Sequence, residues 1–388
     1  MPPRIHSILS SIGALALIAG IFFLFSLSHE IVANVSTLEQ VELPIHIIDA
    51  QDVVASTSSD TPPLPVETVV PTKPQKATDE ATKQTGPEIV ANKPAANEIA
   101  RIENPYPFPP QQDTALNDMA RLALVNILCT QTGNGESKSI SGSGVIIDPR
   151  GVILTNAHIA QYVLLSQDTR INISCAIRTG APASSRWGAE ILFMPPVWIE
   201  EHADEIAMSR PMGTGEHDYA LLLITRSLNT IPLPPSFPFL HFDTREAIGF
   251  QDDKILVASY PTEFVGNAVI QSSLYPVTSL ATIQKLLTFA STTADLLSLG
   301  GIVGAQGGSS GGAVLNMWGF LVGLISTSSE GETTATRDLR AISLSYIERD
   351  MIVQAGFGLS KILEGDVVAM ALDFNTRFAP PLVQLYIK

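Results

Sequence analysis

The sequence predicts an all-β domain of many short antiparallel strands, preceded by one transmembrane helix and a disordered stalk. Three observations predict it. An uncharged run of 22 residues lies near the amino terminus, and a proline-rich stretch follows it. Beyond about Thr114, short β-rich runs alternate with Gly, Pro, Asn and Asp turns. Such a pattern indicates a sandwich or a barrel. With 45% hydrophobic and only 16% charged residues among 388, the chain can bury a sizeable core and is not disordered throughout.

The uncharged run extends from Ser7 to Ser28. About 20 apolar residues at 1.5 Å rise match a ~30 Å hydrocarbon core. A cleaved signal peptide is the competing reading. Its apolar region would be only ~7–15 residues long, with a small-residue cleavage site after it. Here the sole candidate site is Ser26-Leu27-Ser28, so an uncleaved anchor is the expectation. Arg4 lies before the run, and no Lys or Arg occurs between His29 and Lys73. The positive-inside bias then places the amino terminus in the cytoplasm and the bulk of the chain outside it, periplasmic or extracellular, single-pass in the cell membrane. Eleven of the 27 prolines fall between residues 61 and 110. That composition cannot offset its ordering entropy and biases the backbone toward extended polyproline II. The resulting map is an anchor at 1–28, a stalk at 29–112, a globular domain at 113–352 and a tail at 353–388. Within the domain, strands are expected at residues 122–128, 144–147, 152–154, 170–177, 220–224, 255–258 and 319–325. Helices are expected at 113–122, 199–208 and 278–287.

Composition also excludes function classes. The formal charge of −15 and pI near 4.8 disfavour nucleic acid as a partner, because phosphate recognition needs a basic surface. Two cysteines make neither a disulfide-stapled miniature scaffold nor a Cys-x-x-Cys zinc site. No phosphate-binding loop motif occurs, and neither a metal nor an organic cofactor is expected.

Three passages stand out. Ser141-Gly142-Ser143-Gly144-Val145-Ile146-Ile147, a turn at Asp148-Pro149-Arg150-Gly151, and Val152-Ile153-Leu154-Thr155-Asn156-Ala157-His158 read as two strands delivering a histidine. His217-Asp218-Tyr219-Ala220-Leu221-Leu222 places an acid before a buried strand. Gly307-Gly308-Ser309-Ser310-Gly311-Gly312-Ala313 is a glycine-rich turn presenting a serine. Each alone has a bland explanation as a cap, a strand end or a loop. Together they carry the parts of one chemistry. A serine hydroxyl is a weak nucleophile that needs a general base. Histidine can take the proton and return it near neutral pH. A buried carboxylate fixes the imidazole tautomer and stabilises the imidazolium. Glycines beside Ser310 let the amides of Gly308 and Ser310 converge on an oxyanion.

These passages resemble the trypsin/chymotrypsin-fold serine proteases, and within them the bacterial HtrA/Deg-like branch, over roughly residues 114–350. The resemblance implies two six-stranded antiparallel β-barrels with the site between them. It assigns His158 as base, Asp218 as orienting acid, Ser310 as nucleophile, and Gly308 with Ser310 as oxyanion donors. It places Gly304 at the base of a specificity pocket and Ser326, Thr327 and Ser328 on its wall. With no acid there, small or medium apolar side chains are expected before the scissile bond. Ser309 stands where many relatives carry an aspartate that pairs with a newly cut amino terminus, so activity without propeptide cleavage is expected. The 36-residue tail is too short for the PDZ domain usual in that branch. Residues 187–215 look like an insertion bearing Glu200, Glu201, His202, Asp204 and Glu205, read as a solvated acidic helix face rather than a cation site. The fold implied makes Cys129 and Cys175 strand neighbours that either pair as a disulfide or remain buried thiols. The expected partners are polypeptide substrates and the lipid bilayer, and a homo-oligomer is left open. The runner-up function is a catalytically inactive protease-fold module used for binding or signalling. An α/β-hydrolase esterase is disfavoured, because its chain order would be Ser, Asp, His.

Overall fold

Antiparallel pairing, with hydrophobic residues on both faces of the sheets, organises the chain into two β units that meet face to face. A computed structural model describes residues 93–94 and 101–387, apart from 103, 134–135, 207–212, 247, 264, 290–292, 303–306 and 329–336. All of these lie in one unit spanning Lys83–Lys388. The expected membrane helix lies outside the described residues, as does the stalk apart from residues 93–94 and its last residues. Among the described residues, no helix is long and apolar enough to cross a membrane.

The first unit is a closed six-stranded barrel. It contains β2 (Leu124–Gly133), β3 (Glu136–Asp148), β4 (Val152–Thr155), β5 (Ile173–Thr179), β6 (Ser184–Phe193) and β7 (Ala220–Ser227), in the order β2-β3-β4-β7-β6-β5. The turn between β3 and β4 follows from its residues. Asp148 caps it by accepting from the Arg150 backbone N–H at 2.9 Å, and Gly151 takes the left-handed φ of 89° that the return requires. Pairing of β2 with β5 closes the barrel and sets Cys129 directly opposite Cys175. The two form a disulfide. Residues 187–193, expected within an insertion, belong to β6 and pair with β7. The inserted part is shorter and begins after Phe193, with α3 (Pro196–His202) running into a 3-10 turn at Ala203–Glu205. Trp198 and Ile199 face the core while Glu200 and Glu201 are exposed. Among the described residues no group of three or more His, Cys, Asp or Glu is arranged to hold a metal.

The second unit corrects the expectation of a second closed barrel. It is an open, half-barrel sheet of eight strands. They are β1 (Lys93–Pro94), β8 (Lys254–Ser259), β9 (Val277–Thr282), β10 (Lys285–Thr288), β11 (Leu296–Gly300), β12 (Ala313–Asn316), β13 (Leu321–Ser328) and β14 (Leu339–Ser343). Their order is β1-β10-β11-β14-β13-β12-β8-β9. The helix expected at 278–287 is overturned, because these residues are β9 and β10. Val277, Thr278 and Ile283 are β-branched, and pairing with β8 and β11 outweighs any local helical preference. Closure fails at Ile283-Gln284, where the chain leaves one partner for another. The Ile283 N–H donates to Asp253 O at 3.0 Å, and the Gln284 N–H to Ser298 O at 2.7 Å.

Strand alternation builds three hydrophobic cores. Within β7, Ala220, Leu222 and Ile224 fill the barrel, while Leu221 and Leu223 face the other unit. Likewise Ile255 and Val257 of β8 point into the second sheet, and Leu256 and Ala258 point back toward the barrel. The two outward faces form one buried layer with Val145, Leu154, Leu315 and Leu324. Full burial of each such side chain contributes about 1.5–3 kcal/mol.

A short helix, α4 (Asn267–Ser272), lies between β8 and β9, and other helices seal the seam. α1 (Asp113–Ala123) sends Leu116 and Ala120 into it. α5 (Leu344–Ala355), capped by the Ser343 hydroxyl and ended by left-handed Gly356, adds Ile347 and Met351. The tail at 353–388 is part of the fold. It forms α6 (Leu359–Glu364), α7 (Val367–Asp373), a π turn at Phe374–Phe378 and α8 (Ala379–Tyr386). Phe374, Leu382 and Val383 pack into the barrel's own core. The end of the expected stalk is also docked. Tyr106 stacks on Phe320 with centroids 4.4 Å apart, and its hydroxyl donates to Asp243 Oδ2 at 2.7 Å.

The disulfide spans 46 residues of sequence that include β3, β4 and the helix bearing His158. Replacing both cysteines by alanine is expected to lower stability by roughly 3–4 kcal/mol in urea titration. An unchanged midpoint and slope would contradict this.

Candidate active site

His158 is the second residue of α2 (Ala157–Leu165), which starts where β4 ends, at Asn156. Its ring lies against Asp218, with Nδ1 at 2.9 Å from Oδ2 and 3.1 Å from Oδ1. The His158 backbone N–H also donates to Oδ1, at 3.0 Å. Because Nδ1 faces a carboxylate, the proton resides there, and Nε2 is left as the acceptor. Asp218 itself sits on a tight turn before β7, approached through Gly215 and His217, both in the left-handed region at φ 92° and 56°. Asn156 Nδ2 donates to the Asp218 carbonyl at 2.8 Å, fastening this turn to the start of the histidine helix.

The second unit completes the site. Ser326, on β13, donates its hydroxyl to Asp218 Oδ2 at 2.7 Å. Its carbonyl accepts from Ser310 Oγ at 3.3 Å. Ser326 therefore links the nucleophile candidate to the acid candidate, a contact additional to the pocket-wall position expected for it. Strand geometry allows both contacts, since its side chain points back to the barrel while its carbonyl edges the serine turn. Thr327 and Ser328 lie at the end of the same strand, with side chains outside the described set. Gly304 is likewise outside the described residues.

The serine turn owes its shape to glycine. Gly308 and Gly311 adopt φ of 86° and 83°, and a Cβ on Gly311 would stand 2.0 Å from the Ser143 carbonyl oxygen. Only hydrogen fits there. The close approach is used, because the Ser143 N–H donates to Ser310 O at 2.7 Å and the Ser143 hydroxyl to Gly308 O at 2.8 Å. The same hydroxyl accepts from the Tyr260 N–H at 2.9 Å, and Thr155 Oγ1 donates to the Ser143 carbonyl at 2.7 Å. Ser143 thus holds the serine turn against the barrel. Sequence reading placed it in a strand without a role; the Gly-Ser-Gly setting was the available signal, since both neighbours lack side chains. The N–H groups of Gly308 and Ser310 are engaged by no other described group. Ser309 points the other way, into the core, where Ser259 Oγ donates to its hydroxyl at 2.9 Å.

Electrostatics couple the pair. Burial is the largest influence on His158 and would lower its pKa, but the Asp218 charge and hydrogen bond outweigh it, so the net direction is upward. Burial would raise Asp218, yet the His158 charge and hydrogen bond, the Ser326 hydroxyl and the His158 amide hold it below the usual carboxylate range. The raised histidine contributes stability that is fully present below about pH 6.5 and lost as pH rises through its folded pKa. The depressed aspartate contributes stability present above about pH 3.9 and lost as pH falls through its folded pKa. Titration of the His158 ring by NMR should give a midpoint above ~6.5. In Asp218→Asn it should fall below that value, because burial then acts without the opposing charge. A wild-type midpoint below the ordinary range would overturn this account.

Residues 142–324, just under half of the chain, match the trypsin-like peptidase domain family. The stretch runs from β3 into β13 and contains His158, Asp218 and Ser310. No curated protein matches the chain. The match, together with the mostly-β architecture of a closed barrel and a half-barrel, supports a trypsin-like fold and a hydrolase of the serine-protease kind.

Proposed function

We propose that this protein is a membrane-anchored serine endopeptidase of the HtrA/Deg-like branch, acting on exported or misfolded proteins. The observation that carries the reading is the continuous chain of contacts from His158 through Asp218 and Ser326 to Ser310, with His158, Asp218 and Ser310 inside the stretch similar to trypsin-like peptidases. In the acylation step, Ser310 Oγ turns from the Ser326 carbonyl and attacks the peptide carbonyl carbon, while its proton passes to His158 Nε2. Asp218 stabilises the imidazolium. The carbonyl electrons move onto oxygen, where the Gly308 and Ser310 N–H groups receive the charge. Collapse breaks the C–N bond as the imidazolium protonates the leaving amine. Water, deprotonated by the same histidine, then hydrolyses the acyl-enzyme and restores the serine.

Ser309 supports activity without propeptide cleavage, since a buried hydroxyl paired with Ser259 offers no charge to a new amino terminus. The residues around position 304 carry no acid, so a substrate Lys or Arg would be buried unpaired at a cost of several kcal/mol. Uncharged Ser7–Ser28 and the single Arg4 before it support insertion with the protease domain outside the cytoplasm.

A second reading, an inactive binding or signalling module, is favoured by one observation. The Ser310 hydroxyl is bonded to Ser326 O. Labelling the detergent-purified full chain with a fluorophosphonate separates the two. Wild type should label and digest casein, and Ser310→Ala should do neither. Ser310→Ala and His158→Ala should each lose on the order of 10⁴–10⁶ in kcat, without summing in the double variant. Equal labelling or equal digestion by Ser310→Ala would refute the peptidase reading. In a peptide library the wild type should cleave after Val, Ala or Leu; efficient cleavage after Lys or Arg would refute the pocket assignment.

A further inference from the structure

The turn that carries Asp218 is held from behind by a helix of the other unit. His217 occupies the left-handed region at φ 56°, uncommon for a residue with a side chain though histidine enters it more readily than most. Contacts from α5 hold it there. His217 Nδ1 lies 2.9 Å from Asp350 Oδ2, and the His217 N–H donates to Tyr346 Oη at 3.1 Å. On the other flank of the acid, Tyr219 Oη donates to the same Asp350 Oδ2 at 2.9 Å. One carboxylate oxygen therefore receives hydrogen bonds from both chain neighbours of Asp218. Asp350 and Tyr219 are buried, and Asp350 is not bonded to the His158 ring or the Asp218 carboxylate.

We propose that Asp350, acting through His217 and Tyr219, is a positioning residue that sets where the Asp218 carboxylate stands beside His158. The inference rests on the reading of Asp218 as the acid of the proposed peptidase. It ties the geometry of the barrel's acid to the helix that leaves the second sheet. A displacement of the acid by a fraction of an ångström weakens both its bond to the ring and its hold on the imidazolium.

Among the described residues, the titratable groups facing His217 are acidic or phenolic. Glu216 stands 3.9 Å from Nε2, Glu201 approaches from α3, and Asp350 and Tyr346 come from α5. Asp295, just before β11, faces Tyr346 and Glu216, and Arg349 on α5 is paired with it at 2.6 Å. Burial acts to lower the His217 pKa, but the carboxylates prevail and raise it. The Nδ1–H contact to Asp350 is available to either charge state, so the tie persists through neutral pH.

The test uses His217→Gly and His217→Asn in the full chain. Glycine accepts the left-handed backbone better than histidine, so it removes the side-chain tie without threatening the fold. Asparagine tolerates the same backbone and restores an N–H donor toward Asp350. With labelled casein as probe, and rates expressed per fluorophosphonate-titrated site, His217→Gly should lose about tenfold or more in kcat while KM stays within about twofold. The acidic limb of its kcat/KM profile should move to lower pH, because a displaced Asp218 no longer raises His158. His217→Asn should recover most of the rate and the limb. Wild-type kcat and limb in His217→Gly would overturn the proposal, as would a loss that His217→Asn leaves unrepaired. Ser310→Ala is run alongside: if it retains activity, the peptidase reading itself has failed, whereas an inactive Ser310→Ala beside an unimpaired His217→Gly sinks only the positioning role.

Discussion

Asp218 accepts from the His158 ring and backbone amide on the barrel side, and from the Ser326 hydroxyl on the side of the second sheet. A buried carboxylate is tolerable only when its lone pairs are filled and a counter-charge is near. Those donors arise from two different β units, so the anion is satisfied only when the units are docked in one arrangement. The same docking brings Ser310 to the Ser326 carbonyl. The site and the seam between the units are thus one constraint, because loosening the seam would strand a charge that the interior cannot leave bare.

Apolar packing supplies the surface on which that polar contact is aligned. Alternation along β7, β8 and β12 gives each strand one face for its own unit and one for the shared layer. Dispersion and burial in that layer are non-directional, and they bring the sheets together without choosing a register. The hydrogen bonds of Ser143 to Gly308, Ser310 and Tyr260 choose it. The glycine at 311 permits the approach, since any side chain there would collide with the Ser143 carbonyl.

The terminal segments bind the assembly from outside. Tyr106 and Phe108 rest on the hairpin at 316–320, with Trp318 Nε1 donating to the Phe108 carbonyl at 3.0 Å. The last helices close the barrel end, and Phe374 and Leu382 enter its core. The left-handed turn at 215–218 is stabilised by the contact of His217 with Asp350 on α5.

Sequence by itself determined the elements whose information is local. Hydrophobic runs bounded by turn residues marked β2, β3, β4, β5, β7, β8 and β13, and the pattern at 113–122 marked α1. Residue types marked His158, Asp218 and Ser310, because the chemistry of a base, an acid and a nucleophile needs those side chains in those settings. Tertiary structure decided what depends on partners distant along the chain. It made 277–288 two strands instead of a helix, because β8 and β11 offered edges to pair with. It left the second sheet open at Ile283-Gln284, turned 187–193 from an insertion into β6, and folded the tail against the barrel. It gave Ser326 to Asp218, and made Ser143 the contact between the units and Asp350 the support behind His217. None of these is written in spacing or composition, because a hydrogen bond between residues 133 positions apart exists only after the intervening chain has packed.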